Sequence, residues 1–117
     1  MNQSEDLRGR IAKYGPIAYL VTVNAEERPH VVAVRVAWDG EAVTTSAGST
    51  TLANAEVRPH VTVVWAAPPG AGYSLIVDGV ATTAGAIVRI SPTRAVLHRT
   101  PEGDPAAPNC VTILSRK

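Results

Sequence analysis

Apolar residues recur first at helical spacing and then, for most of the chain, at every second position. Leu7, Ile11 and Tyr14 stand one helical turn apart, which predicts a short amphipathic helix. Ser4 is placed to cap it, Glu5 and Asp6 suit the positive end of its dipole, and Gly15-Pro16 stops it. From Ile17 the period becomes two. Ile17, Tyr19, Val21 and Val23 share one face of a first strand that ends at Asn24. After the polar turn 25–29, a second strand runs from His30 to Trp38. Val32, Val34, Val36 and Trp38 lie on one side of it, and Val31, Ala33, Arg35 and Ala37 on the other.

Asp39-Gly40 predicts a tight turn into a third strand, Ala42 to Ser46. The alternation then breaks. Gly48-Ser49 opens a segment whose residues Thr50 to Val57 make two helical turns with Ser49 as N-cap, closed by Pro59. Strands resume over His60 to Ala66, with Val61, Val63 and Trp65 on one face. Another follows the loop 68–72, over Tyr73 to Thr83, with a bulge or sharp bend expected at Asp78-Gly79. Ile87 to Ile90 and Arg94 to His98 give one or two further strands around Ser91-Pro92. Thr100 to Asn109 reads as loop, and Cys110 to Leu114 as an edge strand or a tail docked on a partner.

Short strands joined by tight turns predict an all-β fold with minor helices, a barrel or sandwich. Composition agrees: 117 residues suit one domain (1–117, with 1–15 as N-terminal helix and 99–117 as loop and tail), and the 45% of hydrophobic residues can build a core. Val and Thr are abundant and Phe is absent. A net charge of +1 without a Lys/Arg cluster argues against nucleic acid. No apolar run reaches the roughly 20 residues that span a bilayer. The single cysteine, Cys110, excludes an internal disulfide and reads as a small inert hydrophobe; with a polar, acidic N-terminus, a cytoplasmic location is expected. His30, His60 and His98 lack metal-ligand spacing and read as surface or capping residues, so no metal site is expected.

Four stretches, in order, resemble the pyridoxamine 5'-phosphate oxidase-like split barrel, with its flavin- and deazaflavin-dependent reductases. They are Ile17 to Val23 with Arg28-Pro29-His30-Val31; Trp38-Asp39-Gly40; Thr45 to Ser49 with Asn54 and Arg58-Pro59-His60-Val61; and Val77 to Ala81 with Val88 to Val96. The resemblance covers Ile17 to His98. It implies a homodimeric antiparallel split barrel of six to eight strands that binds FMN or the related deazaflavin as an oxidoreductase. Thr45, Ser46, Gly48, Ser49, Thr50, Thr51 and Asn54 would hold the cofactor, and Arg35 would face its ring system. Trp65 and Tyr73 of a partner subunit would close the site. Arg35 calls for a partner in any case, a ligand or a carboxylate. Family chemistry resides in the cofactor, so no protein acid/base pair is implied. The family's phosphate-binding basic residues align with Thr50 and Thr51, however, and a helix-rich insert is missing. The alternative reading is therefore a non-catalytic homodimer that has lost the flavin or binds another small ligand. A small-barrel interaction domain of other topology is a third.

Overall fold

The computed structural model describes residues 3–69 and 72–116, with the side chains of Ser4 and Glu5 outside that description. In chain order the elements are α1 (Gln3–Tyr14), β1 (Ile17–Val23), β2 (Pro29–Trp38), β3 (Val43–Ser46), α2 (Ser49–Val57), β4 (His60–Trp65), β5 (Ser74–Ala84), β6 (Ile87–His98) and β7 (Cys110–Ser115). The helix α1 begins at Gln3, so Ser4 lies inside its first turn rather than ahead of it; its capping role falls outside the described side chains.

The strands pair antiparallel in the order β3-β2-β1-β4-β5-β6-β7, and β3 also pairs with β6. That closes β1 to β6 into a six-stranded barrel, with β7 added outside the ring. The division lies on β6. Its first half, Ile87 to Ile90, pairs with β3, and its second half, Arg94 to His98, pairs with β7. Ser91-Pro92 therefore does not interrupt β6. Proline lacks the N–H a central ladder needs, and Pro92 sits where β6 has left β3 and not yet met β7. The register shift expected around Asp78-Gly79 is present: Asp78 faces Arg94 but Gly79 faces Pro92, leaving Thr93 as the extra residue. Gly79 is fixed by contact, because a Cβ there would lie 2.5 Å from the Ser91 carbonyl oxygen.

Inward residues of the six strands make the core. Ala18, Leu20, Val34, Val36, Val43, Val63, Trp65, Leu75, Val77, Val88 and Ile90 are buried, together with Leu7 and Ile11 of α1. In β1 both faces are apolar, and it is the face of smaller residues, Ala18, Leu20 and Thr22, that turns inward. The face carrying Ile17 (52% exposed) and Tyr19 (47%) turns out, beside Val31 (56%) of β2. These positions meet across the β1–β2 ladder as Ile17↔Arg35, Tyr19↔Ala33 and Val21↔Val31. An apolar sheet face is thus left bare on one side of the barrel.

Candidate functional site

The barrel wall opens where two neighbouring strands have unequal length. β2 has ten residues, but β3 has four and covers only Val36 to Trp38 of it. The Val36 N–H donates to the Pro16 carbonyl, on the β1 side. By antiparallel alternation, the peptide groups of Val31 and Ala33 then face away from β1, into the opening. The opposite wall is the β3–α2 connection. Ala47 is pinned by its N–H to the Ala86 carbonyl, and the chain turns into α2 through Gly48.

The N-cap of α2 is Gly48, one residue earlier than expected for Ser49, and no side chain caps the helix. The first helical N–H with a partner along α2 is that of Leu52, which donates to the Gly48 carbonyl. The N–H groups of Ser49, Thr50 and Thr51 have no partner among the described residues. Helix starts leave such donors free, and they attract anions. Between the two walls lies a cleft of about 370 Å³, lined by His30, Val32, Ala33, Val34 and the run Ser46 to Thr51. A second groove of about 470 Å³ continues from it through the shared Ser46, along Arg35, Val36, Ala37, Thr44 and Thr45 to Pro16 and Ile87.

The expected site residues separate into three groups. Ser46, Gly48, Ser49, Thr50 and Thr51 come together at the cleft, and Arg35 and Thr45 line the adjoining groove. Thr45 is buried and its hydroxyl donates to the Arg35 carbonyl at 2.8 Å, so it fixes the β2–β3 junction as well. The Arg35 side chain is exposed and has no carboxylate partner among the described residues. Asn54 faces the other way. Its Nδ2 donates to the buried Thr22 hydroxyl at 3.1 Å and anchors α2 to β1.

Trp65 and Tyr73 lie away from the cleft. Trp65 is 1% exposed, inside its own barrel, with its indole N–H donating to the Gly15 carbonyl at 3.0 Å. That burial removes its ring from any groove on a neighbouring subunit. The Tyr73 hydroxyl donates to the Pro108 carbonyl, and its own carbonyl accepts from Tyr14.

One lining residue was missed from the sequence. His30 reads there as an isolated strand-end histidine, but it shares the β2 face of Val32, Val34 and Val36 and so points inward, at the mouth of the cleft. That periodicity was the available signal. Its Nδ1 is buried, with no hydrogen-bond partner among the described residues. Among the described residues one carboxylate is clearly perturbed, and it lies elsewhere: Asp39, in the β2–β3 turn, is held down to about 2, first by the Arg89 Nε–H at 2.8 Å and then by the Glu41 and Ala42 amides. Among the described residues no cluster of His, Cys, Asp or Glu could hold a metal, and no helix is long and apolar enough to cross a membrane.

No family model matches the chain, and no curated protein sequence does either. Solved structures do. A protein from Listeria innocua assigned as a pyridoxamine 5'-phosphate oxidase superposes with a TM-score of 0.67 at 16% identity, over 82% of this chain and 98% of that one. An F420 reductase gives 0.61 at 19% identity, over 70% and 90%. The FAD-binding protein from Mycobacterium smegmatis gives 0.53 at 20% identity, over 81% and 91%. The fold is therefore the pyridoxamine 5'-phosphate oxidase-like split barrel, as the sequence resemblance implied.

Proposed function

We propose that this chain binds a flavin-type cofactor, FMN or a deazaflavin, across the opening between β2 and α2, for two-electron transfer to a small molecule. The carrying observation is the free start of α2: three unbonded amides face a cleft that runs into a groove holding an unpaired arginine. The amides of Ser49, Thr50 and Thr51, with the hydroxyls of Ser46 and Ser49, would take the phosphate. Arg35 and the small residues Ala33 and Ala37 would lie along the ring. The similarity to an F420 reductase and to an FAD-binding protein supports this class of ligand. The bound cofactor would supply the hydride chemistry; the protein's part is to hold the ring and exclude water.

The residues suit a phosphate through dipole and hydrogen bonds rather than through charge, since among the described residues no Lys or Arg lines the cleft. A charge-assisted hydrogen bond contributes about 1.5–3 kcal/mol, so its absence weakens binding roughly ten- to a hundredfold. The cofactor is then one that exchanges with solvent. A second copy of the chain would cover the bare face of Ile17, Tyr19 and Val31 beside the groove, giving a homodimer with the site at its edge.

Titration of the purified protein with FMN, a deazaflavin phosphate and riboflavin, read by flavin fluorescence, tests the proposal. Saturable binding of a phosphorylated form more tightly than riboflavin supports it, and Thr50→Lys should tighten FMN about tenfold. Absence of binding by all three, for wild type and Thr50→Lys alike, overturns it. The uncharged lining of the cleft would then favour the cofactor-free homodimer.

A further inference from the structure

We propose that the hollow between α1 and the end of β2 is the substrate subsite, and that it takes a small carboxylic acid whose apolar body lies against Trp38 with its carboxylate at Arg8. Its role in a reaction rests on the flavin reading; the hollow and its ligand chemistry rest on other observations. On α1, Arg8, Ile11 and Ala12 lie at three- and four-residue steps and so share one side of the helix. Ile11 is buried in the barrel core, whereas Arg8 and Ala12 beside it are exposed. With Val36, Ala37 and Trp38 of β2 they line a cavity of about 280 Å³. Alanines at 12 and 37 leave the room, and the half-buried Trp38 supplies an aromatic wall. That volume lies just below the roughly 300 Å³ at which drug-sized ligand sites begin, which suits a small molecule.

Position and charge choose the occupant. Three openings follow one another along β2: the cleft at His30 and Val32 to Val34, the groove at Arg35 to Ala37, and the hollow at Val36 to Trp38. Pro16, Val36 and Ala37 line both the groove and the hollow, so the two are continuous. A cofactor with its phosphate at α2 and its ring beside Arg35 would turn the far end of that ring toward the hollow. The Arg8 guanidinium has no ion pair among the described residues. Described carboxylates near it in the chain are engaged by other arginines, Asp6 by Arg10 at 3.6 Å and Asp39, next to Trp38, by Arg89 at 2.8 Å. Among the described residues, no acid and no second cation lines the hollow. One guanidinium fork beside an apolar wall matches a carboxylate on an apolar body: the fork meets the two oxygens, and the wall removes the body from water.

The test titrates wild type and Arg8→Gln with 3-phenylpropionate and hexanoate, each beside its uncharged amide, both without FMN and with FMN in excess. NMR follows the Trp38 indole N–H, identified by its loss in Trp38→Phe, and thermal melting establishes that Arg8→Gln is folded. At least one acid should shift the Trp38 signal saturably and bind about fivefold more tightly than its amide. Arg8→Gln should remove that preference and leave the amide's affinity unchanged. No saturable shift with either acid, in either condition, overturns the subsite. Equal affinity for acid and amide, or a preference for the acid that survives Arg8→Gln, overturns it as well. Flavin fluorescence on the same samples separates the two readings. FMN binding without acid binding leaves the flavin reading standing and removes the subsite. Acid binding without FMN binding keeps the acid site and overturns its place beside a cofactor.

Discussion

Two connections leave this barrel, and they treat their polar groups in opposite ways. Between β6 and β7, the Arg99 guanidinium donates to the carbonyls of Glu102, Asp104, Ala107 and Pro108, so the loop is wound around one side chain. The same side of the barrel carries Asp78, which accepts from the Thr62 hydroxyl and the Arg94 guanidinium, and β7 lies along β6. Between β3 and α2 nothing comparable happens. Three amides stay free, Arg35 has no carboxylate, and an apolar strand face stands bare next to them. Free amides are the ordinary state of a helix start; here they stand beside an arginine and a bare apolar face, and that combination is what the proposed ligand would use.

The largest expected effect bears on the bare face. Val31→Asp puts a carboxylate where the proposed second copy packs; an unpaired charge in an apolar contact costs several kcal/mol, which is at least a hundredfold in dimer affinity. Light scattering should report a dimer for wild type and a monomer for the variant, with the melting curve still cooperative. On the satisfied side, Arg99→Ala releases four carbonyls to solvent and should cost about 1–2 kcal/mol by urea unfolding, without changing FMN affinity.

Ser49→Pro separates fold from site. Proline suits the first helical position and a preceding residue in extended conformation, and Gly48 is extended at φ −74°, ψ 170°. Stability should stay within about 0.5 kcal/mol of wild type, while the loss of two donors, the Ser49 amide and hydroxyl, weakens FMN about tenfold. The smallest effect belongs to Asp39. Its carboxyl is held below the usual range, down to about 2, so its contribution is present above about pH 4 and fades as pH falls toward 2. In Asp39→Asn that part of the acid-unfolding slope should vanish. The pair is exposed on the surface, so the change at neutral pH should be small.

Much of the fold was legible in the sequence because alternation and turn chemistry agree at each step. Asp39-Gly40 forms its turn with Gly40 at φ +105°, and the bulge falls at Asp78-Gly79. What could not be read was which apolar face of β1 points inward, since Ala18-Leu20-Thr22 and Ile17-Tyr19-Val21 both fit a core. The structure buries Ala18, Leu20 and Thr22. In the candidate site, the run from Ser46 to Thr51 came out together because it is local. Trp65 and Asn54 were expected at the ligand but have partners within the barrel, contacts that depend on packing between distant segments. His30 went unnoticed because its unpaired nitrogen becomes visible only once the wall across from it is placed.

The central claim is that the unpaired amides at the start of α2 receive a ligand's phosphate. Amide-resolved NMR during titration with FMN tests this most directly. The account predicts the largest saturable shifts at Ser49, Thr50 and Thr51, with riboflavin leaving those three signals nearly unmoved. Shifts confined to another part of the barrel, or identical responses to FMN and riboflavin at these amides, would contradict it.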